Sequence, residues 1–242
     1  MRGFTVIELM LFLGITGALF VGLMIGVNSS ITQQRYKESV NSLVAILQGQ
    51  YSEVDNTRND RSDDWSCTGG TVVEDPVAGQ KRGTSSCVLL GKAVQIQNDG
   101  SVIRVMPVIG VEPGELVSAS DIDALQAYLP KLSTYNETVR ELDWQTFLTD
   151  TESHRSTFSM LVLRSPVSGL LRVFASNDPL PGDLTTMINA DNATTERKLC
   201  LRGERGALPV FSIIVNPRIG GPDGVMVQEF DVSEEGAGAT CN

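Results

Sequence analysis

Residues 4–27 of the chain read FTVIELMLFLGITGALFVGLMIGV, and this stretch decides how the rest of the molecule is organised. It contains no lysine, arginine or aspartate, and Glu8 is its only charged side chain. As an α-helix it would be roughly 36 Å long, and the hydrocarbon core of a bilayer is about 30 Å thick. The stretch therefore predicts a membrane-spanning helix with one carboxylate near its start.

A cleavable secretory signal explains this stretch poorly. Such a signal has a basic start, a shorter apolar region and a cleavage site of small residues. Here Arg2 is the only basic residue before the apolar stretch, and the stretch is followed by the polar run NSSITQQRYKE (28–38) instead of a small-residue cleavage site. A plain signal anchor explains the length but not Glu8, because an acidic side chain at the centre of a membrane helix costs about 2.5–3.5 kcal/mol, and less near the interface. Basic residues lie on both sides, so the charge rule leaves the orientation open.

Beyond residue 27 the apolar pattern changes from continuous to periodic. Apolar side chains recur mostly at three- and four-residue steps, at Ile31, Tyr36, Val40, Leu43, Val44, Leu47, Tyr51 and Val54. This spacing predicts an amphipathic continuation of the same helix, packed by one face on a folded domain. The helix should end near the polar run DNTRNDRSDDW (55–65), which gives a helix of roughly 80 Å.

The remaining chain is typical of a β-rich domain. Residues 87–111 predict a hairpin with its turn at Asn98-Asp99-Gly100. Residues 120–130 predict a short helix that is capped by Ser120 and stopped by Pro130. This helix belongs to an inserted helical or loop excursion that ends near residue 148. Later strands are predicted at 157–165, 170–176, 198–203, 209–216 and 224–232. The predicted fold class is α+β, with the long N-terminal helix packed on a mainly antiparallel sheet of six or seven strands.

Composition and motifs argue against an enzyme. The 242 residues include 19 basic and 29 acidic side chains, and the net charge of −10 disfavours direct nucleic-acid binding. A zinc site or a Ser-His-Asp triad would depend on the single histidine, His154, which lies in a polar stretch and is expected to be exposed. The sequence contains no nucleotide-binding or hydrolase motif, and the acidic run at 55–64 lacks the calcium-loop pattern. We predict no catalytic residue, metal or cofactor, and we expect Trp65 and Trp144 to be buried.

Four cysteines are candidates for disulfide bonds: Cys67, Cys87, Cys200 and Cys241. They form no C-x-x-C pair, which argues against metal binding and thioredoxin-like chemistry. An even number suits two disulfides in an oxidising compartment. Of the three possible connectivities, we prefer Cys67–Cys87 and Cys200–Cys241, because each pair brackets a loop-rich stretch. Four buried free thiols are the alternative.

The order of residues at the N-terminus adds a resemblance to a known family. Gly3-Phe4-Thr5-Val6-Ile7-Glu8, followed by an unbroken apolar stretch, closely resembles the class III signal of type IV pilins and pseudopilins. The resemblance implies that a prepilin peptidase cleaves between Gly3 and Phe4 on the cytoplasmic side, and that Phe4 is then N-methylated. It also implies that Glu8 becomes the fifth residue of the mature chain and faces the N-terminal amine of a neighbouring subunit. The resemblance covers about the first fifty residues.

One departure from that family concerns the apolar stretch itself. Many major pilins have a proline in the first half of this helix, whereas this chain has Gly14, Gly17, Gly22 and Gly26. Each glycine weakens a helix by about 1 kcal/mol relative to alanine, so the stretch can loosen on assembly. Alternatively, the glycines let helices pack closely. The sequence does not separate these two roles.

The sequence thus predicts a structural subunit of a type IV pilus-like filament, anchored by a single pass in the bacterial cytoplasmic membrane before assembly. After assembly it would lie in a cell-surface pilus or a periplasmic filament. Its length favours a minor pilin; the alternatives are a type II secretion pseudopilin and a signal-anchored extracytoplasmic binding module that never polymerises. The expected partners are other pilin subunits, the prepilin peptidase, an inner-membrane assembly platform and the membrane. The predicted parts are a leader (1–3), a transmembrane and assembly helix (4–27), its amphipathic continuation (28–55) and a globular extracytoplasmic domain (56–242).

Overall fold

The computed structural model describes residues 5–56, 63–66, 73–75, 81, 85–97, 99–115, 120–133, 136–149, 154–203 and 211–229. The predicted cleavage residues Gly3 and Phe4 and two of the candidate cysteines, Cys67 and Cys241, lie outside these ranges.

A single 50-residue helix, α1 (Val6–Asp55), forms the N-terminal part of the described chain. Thr5 caps its start, and at its end the amide of Asn56 donates to the carbonyl of Ser52 at 3.0 Å. Proline is absent from the whole segment, so nothing in the sequence interrupts its hydrogen-bond ladder. The predicted continuity of the apolar and amphipathic segments is confirmed.

The rest of the described chain forms short helices and antiparallel strands. The strands are β1 (Trp65–Ser66), β2 (Val73–Glu74), β3 (Cys87–Ile96), β4 (Val102–Val111), β5 (Lys131–Leu132), β6 (Thr138–Glu141), β7 (Thr146–Thr149), β8 (Phe158–Arg164), β9 (Leu171–Ser176), β10 (Arg197–Gly203), β11 (Phe211–Val215) and β12 (Val225–Glu229). The helices are α2 (Asp121–Ala127) and α3 (Ala190–Thr194).

These strands form two main sheets and one small ribbon. The larger sheet has the order β5-β4-β3-β8-β9, with β6 also paired to β4, and the smaller has the order β12-β11-β10-β7. The ribbon consists of β1 and β2. All described pairings are antiparallel. The predicted α+β class, a long helix with antiparallel sheets, is confirmed at this level.

The central hairpin of the larger sheet turns where the sequence predicts. Gly100 has φ +70°, and its amide donates to the carbonyl of Gln97 at 2.7 Å. A Cβ at this position would lie 2.6 Å from the carbonyl oxygen of Leu148. Glycine is therefore required twice, once for the left-handed backbone and once for the close approach of β7.

The second half of α1 packs on both sheets. Six of its side chains are buried in the main core: Tyr36, Val40, Leu43, Leu47, Tyr51 and Val54. The Tyr36 hydroxyl donates to the carbonyl of Leu201 and accepts from the amide of Phe211 at 3.3 Å, which joins the helix to β10 and β11. Burial raises the pKa of Tyr36 to about 12. The predicted amphipathic stripe is thus confirmed at these six positions, whereas Ile31 is exposed and Val44 is half-buried.

The opposite face of the larger sheet is covered by α2 and the segment at residues 184–188. Ser120 caps α2 as predicted, because its hydroxyl accepts from the amide of Asp123 at 3.1 Å. In the first turn of α2 the Asp121 carboxylate accepts from the hydroxyl of Ser165 at 2.5 Å and from Nε of Arg172 at 2.7 Å. The Ser165 hydrogen bond, followed by Arg172, holds the pKa of this carboxyl below its usual range.

The inserted excursion predicted up to residue 148 instead contributes three short strands to the two sheets. After α2 the chain adds β5 and β6 to the edge of the larger sheet, and β7 joins the smaller one. The count of six or seven strands is therefore wrong, since twelve are described. These extra strands are only two to four residues long, too short for an alternating pattern to stand out in the sequence.

Two side-chain expectations have opposite outcomes. Trp65 is buried as expected, whereas Trp144 is 50% exposed, so the prediction of its burial is wrong. Trp144 lies in a turn just before β7, where its backbone is left-handed with φ +59°.

Two of the four candidate cysteines are described. Cys87 in β3 and Cys200 in β10 are both disulfide-bonded, which excludes free thiols at these positions. Both side chains are buried. The preferred pairing with Cys67 and Cys241 stays a prediction, because those two residues lie outside the described ranges.

Candidate functional site

The first half of α1 is an apolar surface that the described chain does not cover. The large apolar side chains described between Val6 and Val27 are 53–76% exposed. By length and composition, α1 is the one helix in the described part of the chain that can cross a membrane. Over these 22 positions the helix rises about 33 Å, slightly more than the thickness of a hydrocarbon core. This segment, called the exposed half of α1 below, needs lipid or another protein around it.

Glu8 lies in the first turn of this exposed half and takes part in a capping box with Thr5. The amide of Glu8 donates to the Thr5 hydroxyl oxygen at 3.3 Å. In return, the Glu8 carboxylate accepts from both the amide and the hydroxyl of Thr5, each at 3.0 Å. Two amides at the helix N-terminus are thereby satisfied, and the carboxylate lies at the positive end of the helix dipole.

The capping role of Glu8 is not among the predictions made from the sequence, although its signal is present. Thr5 and Glu8 form a T-x-x-E pattern directly before an apolar run, which is the sequence signature of a capping box. The Glu8 carboxylate therefore has a hydrogen-bond partner within its own chain, in addition to the intersubunit amine that the family resemblance implies. Among the described residues, the hydrogen bonds to Glu8 all go to Oε2. Oε1 retains its capacity to accept from a further donor.

The four glycines of the exposed half have no packing role within the described chain. A Cβ built at Gly14, Gly17, Gly22 or Gly26 would have no other atom within 4 Å. The Thr16 hydroxyl, in the same segment, donates to the carbonyl of Phe12 at 2.8 Å, so its polar group is satisfied without water. The space beside the glycines is open to whatever surrounds the helix.

Elsewhere the described residues offer no arrangement for catalysis or metal binding. No group of three or more metal-ligating side chains occurs among them, and His154 is exposed just before β8. A groove of about 380 Å³ runs between α1 and the edge of the larger sheet. Its charged residues include Lys92 and Glu53, whose ammonium and carboxylate groups lie 3.4 Å apart. The two groups therefore form an ion pair in the lining of the groove.

Comparison with known proteins found that no family model, no curated protein and no solved structure matches the chain. The residues and their geometry define the class directly. The chain is an α+β protein in which one long helix is buried by its second half in a β-rich core and exposes an apolar first half of membrane-spanning length.

Proposed function

We propose that this protein is a structural subunit of a type IV pilus-like filament. In this proposal the precursor is held in the cytoplasmic membrane by the exposed half of α1. A prepilin peptidase cleaves it after Gly3 and Phe4 is methylated. An inner-membrane assembly platform then transfers the helix from lipid into a bundle of identical or related helices. A minor pilin is the favoured assignment because the chain is long.

The observation that carries the proposal is the division of α1 into two halves. Side chains of the second half, such as Leu43 and Leu47, are fixed in the core, whereas the large apolar side chains described in the first half are 53–76% exposed. A helix that served only as a membrane anchor would need a membrane-spanning length and no further property. A helix that also assembles must exchange lipid for protein, and an apolar surface that the folded domain leaves uncovered is suited to both environments.

Glu8 supplies the electrostatic part of the proposal. Cleavage after Gly3 would leave a new ammonium group at Phe4, and Oε1 of Glu8 is available to accept from such a group on a neighbouring subunit. Opposite charges attract far more strongly in an apolar bundle than in water. A subunit docked out of register would bury both charges without partners, which is strongly unfavourable. The pair would therefore select the register of assembly.

The first test is the chemical state of the N-terminus. Mass spectrometry of the protein purified from the membrane fraction should find Phe4 as the first residue, carrying a methyl group. The chain would then begin three residues later than it is translated. An intact Met1 would refute processing and favour the anchored binding module that never polymerises.

The second test separates the capping role of Glu8 from its charge. Glu8→Gln keeps an acceptor for the capping box, which works with glutamine as well as glutamate, but removes the charge. Glu8→Val removes both. If the charge pairs with a neighbouring amine, both variants should insert into the membrane normally and both should fail to enter filaments. Normal incorporation of Glu8→Gln would show that only the cap matters and would overturn the proposed pairing.

A further inference from the structure

A strained turn lies where the buried half of α1 begins. In the helical turn Asp143–Gln145, Trp144 has φ +59° and Gln145 has φ +57°. Two successive non-glycine residues with left-handed backbone are rare, and each costs on the order of 1 kcal/mol or more. The turn nevertheless leaves the indole of Trp144 half-exposed, where it contributes little to the core. Folding alone gives no reason for this arrangement.

The turn is held in place by α1. The hydroxyl oxygens of Ser39 and Thr146 lie 2.5 Å apart, and the Thr146 hydroxyl also donates to the carbonyl of Asp143 at 3.0 Å. On the outer side, the guanidinium of Arg35 lies 4.5 Å from the centre of the Trp144 ring, within the range of a cation–π interaction. The indole is therefore fixed against a positive charge, and both contacts come from the helix that continues into the exposed half.

This pair lies close to the end of the apolar segment. Arg35 follows Val27 by eight residues, which is about 12 Å along the helix axis. Long side chains on a helix point back toward its N-terminus, so the Arg35 guanidinium and the indole beneath it lie about one turn nearer to Val27, some 7 Å beyond it. The headgroup layer of one leaflet is about 5–8 Å thick. If residues 6–27 cross the bilayer, the pair lies at the depth of the headgroups.

We propose that Trp144 and Arg35 form a membrane-docking contact for anionic lipid headgroups, which sets how the folded domain rests on the bilayer before assembly. The inference depends on the proposed insertion of the exposed half of α1. Tryptophan is enriched at the interface between lipid and water, and arginine there binds phosphate. Lys37, two residues further along α1, is exposed and lies over the ring of Phe211 at 6.0 Å, so the helix carries a second cation near Arg35.

The charges around this contact limit what it can bind. Glu38 and Asp143 are exposed nearby, so the surface is not uniformly basic even though Arg35 and Lys37 are present. A strongly acidic protein partner would be repelled by these carboxylates, because its own charges are fixed in place. Anionic lipid headgroups in a fluid layer can move away from the carboxylates and toward Arg35 and Lys37. The indole of Trp144 is half-exposed and is held by the Arg35 guanidinium. Its apolar ring and its polar N–H group suit the interface between lipid and water.

The test uses the fluorescence of the full-length chain reconstituted in vesicles of phosphatidylglycerol and phosphatidylcholine. The chain contains only two tryptophans, so the difference in emission between the unmodified protein and Trp144→Phe isolates Trp144. A nitroxide on the lipid headgroup should remove most of this difference signal, and a nitroxide deep in the acyl chain should remove less. Trp65, which is buried, should be affected by neither and serves as the internal control. Arg35→Gln should reduce the quenching by the headgroup label.

The outcomes separate this inference from the proposed function. Membrane insertion is measured independently by resistance to alkaline extraction, and failure to insert would refute the proposed function itself. An inserted chain whose Trp144 is quenched by an aqueous quencher and by neither lipid label would refute only the docking contact. Equal quenching in pure phosphatidylcholine would refute the preference for anionic headgroups. A change at Trp144 seen only in filaments would identify a second copy of the chain as the occupant, and would also overturn the inference.

Discussion

The two halves of α1 should respond in opposite ways to the same substitution. Leu43 is fully buried in the core, whereas Leu19 is 63% exposed, and both lie in the interior of one helix. Leucine and alanine are both strong helix formers, so changes in helix propensity nearly cancel between the two variants. Leu43→Ala removes three buried carbons, worth about 2.4 kcal/mol at about 0.8 kcal/mol each. A residual cavity brings the expected loss to about 3 kcal/mol.

For a chain of this size, each kcal/mol lowers the midpoint of thermal unfolding by about 2–4 °C, so Leu43→Ala should lower it by roughly 6–12 °C. Leu19→Ala, the matched control, should change the free energy of unfolding by less than about 0.5 kcal/mol. The assay is thermal unfolding of the full chain in detergent, followed by circular dichroism of the β-rich domain. A loss under about 1 kcal/mol for Leu43→Ala, or equal losses for the two variants, would refute the division of α1 into a buried and an exposed half.

Three further predictions concern the folded domain. Tyr36→Phe leaves a strand carbonyl and a strand amide without their hydroxyl partner and should cost about 2 kcal/mol in urea unfolding, and an unchanged midpoint would contradict this role. Asp121→Asn should cost about 2 kcal/mol at neutral pH. Because the folded-state pKa of Asp121 is lowered, its stabilisation is present above about pH 4 and is lost as the pH falls through that lowered value. The difference from the unmodified protein should therefore vanish in acid, and a constant difference would exclude the ionic origin. Gly91→Ala places a Cβ 2.0 Å from the carbonyl oxygen of Val162, so it should cost about 3 kcal/mol or prevent folding, as soluble yield and thermal unfolding would show.

Features with a local physical signal were predictable from the sequence. The stripe from Tyr36 to Val54 follows the helical period over several turns, so its burial could be inferred before any tertiary contact was known. The Asp99-Gly100 turn was predictable because glycine alone adopts its positive φ without strain. The capping box of Thr5 and Glu8 also has a local signal, the T-x-x-E pattern before an apolar run, whereas the resemblance at the N-terminus concerns only the charge of Glu8.

Other features depend on long-range contacts and had no such signal. Strands β5 to β7 are short and exist because β4 and β10 offer them backbone partners, which the sequence of the excursion does not reveal. The exposure of Trp144 depends on a left-handed turn held by α1, a contact across more than a hundred residues. A bulky aromatic residue gives no local indication of positive φ.

The way α1 enters the core has a mechanical consequence. Its buried side chains extend from Tyr36 to Val54, about 27 Å along the helix axis. A tensile force applied to the exposed half acts parallel to this row, so it loads all the buried contacts in shear rather than opening them one after another. Such a joint resists a pull along the helix far better than a pull across it. If the chain assembles into the proposed filament, tension along the filament axis would act on this attachment in the direction in which it is strongest.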